Sequence, residues 1–90
     1  MALKKQITIS QPFEADRTAE YWVIKEKTEI KRHNFTTVLL VCYKNREESK
    51  TEHPDEYMRI NFQFDGLDFK RSDLYPMIKL DSRFVDATDV

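Results

Sequence analysis

Residues 35–43 have the sequence FTTVLLVCY, and this stretch decides the fold because β-branched and aromatic residues favour a β-strand. In a strand, Val38 and Leu40 point to one side, and Leu39 and Val41 point to the other. A strand that is apolar on both sides lies inside a sheet or is covered on both faces. We therefore predict that this strand, the third along the chain, forms the centre of the core.

The stretch before it, residues 20–32, alternates apolar and charged residues and predicts a long second strand. The alternation places four residues on one face: Trp22, Ile24, Thr28 and Ile30. His33 and Asn34 then interrupt the pattern, and asparagine tolerates the left-handed backbone angles of a turn. The second and third strands are therefore predicted to form a β-hairpin.

Two further alternating stretches predict the remaining strands. Residues 3–10 form the first strand, which the pair Gln11-Pro12 ends. Residues 56–64 form the fourth strand, and its inward residues are Met58, Ile60, Phe62 and Phe64. Residues 44–55 are mostly charged or polar, so we expect an exposed connection with one helical turn at its start.

The end of the chain predicts one short helix, over residues 72–80. Ser72 is a candidate N-cap, Pro76 falls in the first turn or so, and an apolar face follows with the spacing of a helix. The members of that face are Leu74, Met77 and Ile78. Phe84 and Val85 are expected to anchor the tail. The predicted fold class is thus α+β, mostly β, with an antiparallel sheet of about four strands and one short C-terminal helix.

Composition limits the classes of function. Ninety residues, 40% of them hydrophobic, suit one domain over residues 1–90, and a net charge of −1 gives no field that attracts nucleic acid or anionic lipid. A single cysteine excludes an intrachain disulfide, so the fold does not depend on an oxidising compartment and a cytosolic location is favoured. No apolar run approaches the roughly 20 residues of a membrane helix, and the start lacks the pattern of a secretion signal.

Catalytic and ligand-binding motifs are not found. Cys42 lies in an apolar strand, where a thiol is usually inert, and His33 and His53 are expected to be exposed without a partner. His53, Asp55 and Glu56 match no known metal-ligand spacing, and one Cys and two His fall short of a four-ligand zinc site. One glycine excludes a glycine-rich phosphate loop. We therefore predict no enzyme activity, no cofactor, and no catalytic, cofactor-binding or metal-ligating residue.

Two kinds of binding remain, nucleic-acid binding and protein assembly. A sheet surface able to stack bases and hold phosphates would comprise Tyr21, Tyr43, Tyr57, Lys25, Lys27, Lys31 and Arg59. Glu26 and Glu29 interrupt its charge, which favours an ordinary solvated surface. Strands one and four are candidate sheet edges that can extend a sheet across subunits. The alternative is a monomer whose edges are blunted by Lys4, Lys5 and Arg59.

Several segments together resemble a family of proteins. These are the start MALKKQI, residues 21–24 (YWVI), residues 38–45 (VLLVCYKN) and the close FVDATDV at residues 84–90. The chain resembles small virion structural proteins encoded by bacteriophages and prophages, such as tail, baseplate or head-to-tail accessory subunits. The resemblance implies a many-copy assembly that is made in the bacterial cytoplasm and carried on the virion, and it implies no catalytic residue.

The expected function is therefore that of a non-catalytic phage structural or assembly subunit. It would contact other virion proteins, or copies of itself in a homo-oligomer, through its sheet and its two terminal segments. The alternative is a small phage-encoded regulator that binds a host protein or nucleic acid. Neither function involves a membrane.

Overall fold

The computed structural model describes residues 2–10, 12 and 15–90. In these residues the strands are β1 (Leu3–Ile9), β2 (Arg17–Ile30), β3 (Phe35–Tyr43), β4 (Met58–Asp65) and β5 (Thr88–Asp89), and the helices are α1 (Arg46–Ser49) and α2 (Arg71–Ile78). All strand pairs are antiparallel, and the five strands form one sheet in the order β4-β3-β2-β1-β5. The predicted fold class is confirmed, with β5 as a short additional strand. Gln11, half of the predicted end of the first strand, lies outside the described residues.

The predicted hairpin is formed by β2 and β3. Asn34 has a φ of 57° in the connecting turn, so it adopts the left-handed conformation expected of it. β3 lies between β2 and β4 in the sheet. Val38 and Leu40 are buried on one face of the sheet and Val41 on the other, and the sheet order confirms that the third strand lies inside the sheet.

A β-bulge at Lys25 reverses the two faces of β2. The register passes from Ile24 opposite Leu40 to Glu26 opposite Leu39, so Lys25 is an extra residue. We call the side that carries Trp22 and Ile24 the core face and the opposite side the outer face. Because side chains alternate, one extra residue moves every later residue to the other face.

The bulge changes which residues of β2 share a face, so the predicted pattern of this strand needs correction. Beyond it, Lys27 pairs with Val38 and shares the core face, while Thr28 and Ile30 lie on the outer face. The prediction that Thr28 and Ile30 lie on the same face as Trp22 and Ile24 is therefore wrong. Its physical cause is the unpaired Lys25.

Helix α2 covers the core face. Leu74, Tyr75 and Ile78 are buried in the same cluster as the strand residues, and Met77 packs against that cluster. The Tyr75 hydroxyl accepts a hydrogen bond from the N–H of Ile24 at 3.0 Å. An Arg71 nitrogen donates to the carbonyl of Ile24 at 3.2 Å. The helix therefore binds the main chain of β2 next to the bulge as well as the apolar side chains.

The predicted start of this helix is one to two residues late. The N-cap is Lys70, and its N–H donates to the Asp73 carboxylate at 3.0 Å, whereas Ser72 lies inside the helix. Pro76 is the sixth helical residue and so lies beyond the first turn. The missing N–H at that position removes one helical hydrogen bond. The helix has only eight residues and is held mainly by its packing, so it tolerates this loss.

The C-terminal segment completes the covering layer. Phe84 is buried, and its ring meets Trp22 edge to face, with centroids 4.9 Å apart and planes at 88°. Of the two expected anchors, Phe84 is therefore confirmed. Val85 is 66% exposed, so the expectation that it anchors the tail is wrong. β5 then pairs with β1, and Ala2 and Val90 exchange two main-chain hydrogen bonds of 3.0 Å.

Candidate functional site

β4 is an edge strand, and the side of it that faces away from β3 has a regular backbone. β4 pairs with β3 from Asp65 opposite Phe35 to Met58 opposite Cys42 without a register shift. The N–H of Gly66 donates to the carbonyl of Asn34 at 2.9 Å, which fixes the groups that point inward. Antiparallel pairing alternates. The main-chain groups that point away from the sheet therefore belong to Arg59, Asn61, Gln63 and Asp65, and we call this row the β4 edge.

A row of apolar side chains runs along β4 on the core face. Ile60, Phe62 and Phe64 pack against the buried core but remain partly exposed, and Met58 is 40% exposed. The rings of Phe62 and Phe64 stack with centroids 5.9 Å apart. The Arg83 guanidinium covers Phe62 at 5.3 Å from the ring centroid. Apolar surface thus continues to the last strand of the sheet.

An apolar groove of about 260 Å³ adjoins this row. Its apolar lining consists of Ile7, Trp22, Met58, Ile60 and Phe84, and the charged residues Lys5 and Arg83 also line it. Both charged residues are held in place. Lys5 donates to Asp86 at 2.8 Å, and the Arg83 Nε donates to Asp81 at 2.9 Å.

An ion cluster on the outer face of the sheet joins the residues at the start of β4 to the bulge in β2. Glu56 accepts hydrogen bonds from Lys25 and from the Nε of Arg59, the latter at 2.6 Å. These bonds, Lys25 first, lower the pKa of the Glu56 carboxyl, and the same bond raises the pKa of Lys25. The carboxylate is therefore ionised and paired at neutral pH. Its role is to hold Arg59 at the end of the β4 edge.

The residues considered for catalysis lie apart from this site. Cys42 is fully buried, and burial raises the pKa of its thiol to about 12, so the reactive thiolate is suppressed. His33 is exposed and stacks on Phe35 with centroids 6.0 Å apart. The His53 side chain is 91% exposed, and its Nε2 lies 4.0 Å from the carboxylate of Glu52.

The metal ligands considered from the sequence are not assembled either. Within residues 2–10, 12 and 15–90, no group of three His, Cys, Asp or Glu side chains is arranged to hold a metal ion. Glu56, one of the three candidates, binds Lys25 and Arg59 instead. The structure therefore gives no support for a metal site at His53, Asp55 and Glu56.

The residues considered for nucleic-acid binding are divided between the two faces. Lys27 lies on the core face and donates to the carbonyl of Phe69. Lys25 is engaged with Glu56, and Tyr43 is only 8% exposed. The structure does not bring these side chains together as one basic, aromatic surface.

The groove cannot be predicted from the sequence pattern. Trp22 is predicted on one face of the second strand and Phe84 as an anchor of the tail, and the contact between them shapes one wall of the groove. Sixty-one residues separate these two along the chain, so no local pattern predicts the contact. Of the two predicted edges, the fourth strand is confirmed as an edge by the sheet order, whereas the prediction for the first strand is wrong because β5 pairs with its free side.

Comparisons with protein-family models, curated proteins and solved structures find no match for this chain. Neither helix in the described part of the chain is long and apolar enough to span a bilayer. The function must therefore be inferred from the site itself.

Proposed function

We propose that this protein is a non-catalytic assembly subunit that binds other protein chains by pairing with the β4 edge. The observation that carries the proposal is a regular edge strand of eight residues with partly exposed apolar side chains beside its unpaired main-chain groups. Such an edge is a template for another strand. Main-chain hydrogen bonds supply affinity, and the apolar row and groove supply side-chain contacts.

The contrast with the opposite side of the sheet supports the choice of edge. β5 has two residues, and β1 carries a register shift between Lys4 and Ile7. Short strands and bulges are the usual means by which proteins protect an edge from pairing. β4 has neither feature and contains no proline. Arg59 is the one cation on it, and Glu56 partly neutralises that charge.

The assembly that we propose is a bacteriophage particle, and the protein would be made in the bacterial cytoplasm and carried on the virion. The resemblance of the strand sequences to small virion proteins supports this step. The β4 edge supports it further, because many-copy assemblies need surfaces that pair with other chains. The suppressed reactivity of Cys42 agrees with a role that involves no chemistry.

A photo-crosslinking amino acid in place of Asn61, at the middle of the β4 edge, tests the proposal. The same amino acid in place of Glu47, an exposed residue of α1, is the matched control. In cells that express the protein from its native locus, we expect the Asn61 probe to form adducts with a protein chain identified by peptide mass spectrometry, and the Glu47 probe to form none. An adduct with a virion protein supports the phage assignment, and an adduct with a host protein favours a regulator instead.

An edge-blocking substitution provides the second half of the test. The N–H of Asn61 points away from β3, so Asn61→Pro removes an outward donor and no bond within the sheet. We expect this variant to fold and to lose the crosslinked partner when the probe is moved to Gln63. If neither probe on the β4 edge forms an adduct, the proposed function is wrong.

A further inference from the structure

We infer that the partner strand at the β4 edge is β4 of a second copy of this chain, paired antiparallel about a two-fold axis at Phe62. This inference rests on the proposed function and names its partner. It follows from the charges on the β4 edge, from the direction of its main-chain groups and from its apolar row.

The charges of the β4 edge are complementary to themselves. Arg59 and Asp65 stand three residues before and three residues after Phe62. In a symmetric antiparallel pair centred on Phe62, Arg59 of each copy lies directly opposite Asp65 of the other. Opposite charges at facing positions stabilise a strand pair. The register therefore creates two identical ion pairs, one at each end of the interface.

Both charged side chains are available for such a pair. Arg59 uses its Nε for Glu56, and a guanidinium has further donors on its terminal nitrogens. Asp65 is exposed, and no ion pair involves it within the part of the chain that the structure describes. A carboxylate at the end of an edge strand is thus free to meet an arginine of another chain.

The hydrogen-bond pattern permits this register. The outward groups belong to Arg59, Asn61, Gln63 and Asp65, and the axis at Phe62 places Asn61 opposite Gln63 as well as Arg59 opposite Asp65. These are hydrogen-bonded pairs, so every outward N–H and carbonyl of the row finds a partner. An axis at Asn61 or at Gln63 also permits hydrogen bonds, but it places neither charged residue opposite the other.

The apolar row meets its own copy in the same arrangement. Phe62 faces Phe62 across the axis in a pair without direct hydrogen bonds, where side chains approach most closely. Ile60 faces Phe64 on either side. Because the axis is perpendicular to the sheet, both core faces lie on one side of the doubled sheet, and the partly exposed apolar rows of the two copies join.

Charge reversal tests the register. Arg59→Asp and Asp65→Arg each place like charges at both ends of the interface, so we expect each to raise the dimer dissociation constant about tenfold in sedimentation velocity. The double variant restores both opposite-charge pairs and should recover the affinity of the natural chain. An equal mixture of the two single variants should form a heterodimer, since each then supplies the charge that the other lacks.

Two controls separate charge from folding. Arg46→Asp and Glu47→Arg make the same charge changes on α1 and should leave the dissociation constant unchanged. Asp65→Arg leaves the Glu56 cluster intact, so it remains informative if Arg59→Asp lowers the thermal stability of the monomer.

The outcomes distinguish this inference from the function on which it rests. A chain that stays monomeric at about millimolar concentration, or a double variant as weak as the single variants, overturns the self-pairing. If the Asn61 probe nevertheless crosslinks a different, identified chain, the assembly function stands without it. If the chain is monomeric and the probe forms no adduct, both are wrong.

Discussion

The hydroxyl of Tyr75 accepts a hydrogen bond from the main-chain N–H of Ile24 at 3.0 Å, in the interior between α2 and β2. Tyr75 is 3% exposed and Ile24 is fully buried. The bond lies beside the bulge at Lys25, where β2 changes the face to which its side chains point. A helix side chain thus fixes the place at which the strand departs from regular pairing.

Replacement of Tyr75 by phenylalanine removes this acceptor and leaves a buried donor without it. Leaving a buried polar group unsatisfied costs about 1–3 kcal/mol, so we expect Tyr75→Phe to lower the free energy of unfolding by that amount in urea titrations. Tyr21→Phe is the matched control, because Tyr21 is only half-buried. Equal loss of stability in the two variants would contradict a specific role for the hydroxyl.

Phe84 and Val85 are neighbours in the chain with opposite environments. Phe84 is 1% exposed against Trp22, and Val85 is 66% exposed. Phe84→Ala should lower the free energy of unfolding by about 3–5 kcal/mol, since it removes a buried ring and leaves a cavity. Val85→Ala should change it by no more than about 0.5 kcal/mol. Chemical denaturation of both variants measures the difference, and a comparable effect at the two positions would refute the assigned packing.

The thiol of Cys42 should be unreactive in the folded protein. It is fully buried, and burial raises its pKa to about 12, so little thiolate forms at pH 8. We expect reaction with a disulfide reagent such as dithionitrobenzoate to be slow in buffer and rapid in denaturant. Fast labelling under native conditions would show that β3 is more open at this position than the structure indicates.

Asp81 should titrate well below an ordinary aspartate. Its hydrogen bonds with the side chain and main chain of Arg83 lower its pKa from the ordinary 3.8 to about 2. A depressed pKa means that the folded state favours the ionised form, so this contribution is present above about pH 4 and is lost as the pH falls towards 2. Carbon-13 NMR titration of the carboxyl measures the midpoint directly.

Removal of the Arg83 side-chain charge provides the control for this titration. Arg83→Gln should move the midpoint of Asp81 back towards its ordinary value, although the main-chain bond from residue 83 remains. Arg46→Gln, on α1, should leave the midpoint unchanged. A midpoint near 2 in Arg83→Gln would mean that the main-chain bond alone lowers the pKa.

The strands that follow a simple period could be predicted from the sequence. The bounds of β3 coincide with the predicted residues 35–43, β1 ends one residue before the predicted end at Ser10, and the turn at Asn34 follows from the side-chain type. β3 is apolar on both sides and so needs no tertiary information to be placed inside the sheet. The burial of Leu74 and Ile78 likewise follows from helical spacing.

What escaped prediction depends on contacts between distant residues. The bulge at Lys25 leaves no local mark, because a lysine fits the alternating pattern of β2 as well as any other polar residue. β5 has two exposed residues and is a strand only because β1 lies beside it. Only part of the candidate site can be predicted from the sequence. The pattern predicts the fourth strand as a candidate edge, whereas the groove requires the contact of Trp22 with Phe84.

The paired main chains of Ala2 and Val90 have a consequence for the order of folding. The hairpin of β2 and β3 closes through a short turn, so its contacts form early at low entropic cost, whereas the pairing of β1 with β5 must close nearly the whole chain into a loop. We therefore expect the hairpin to nucleate the sheet and β5 to join last. By the same reasoning, the amides of β5 should be the first in the sheet to exchange with solvent.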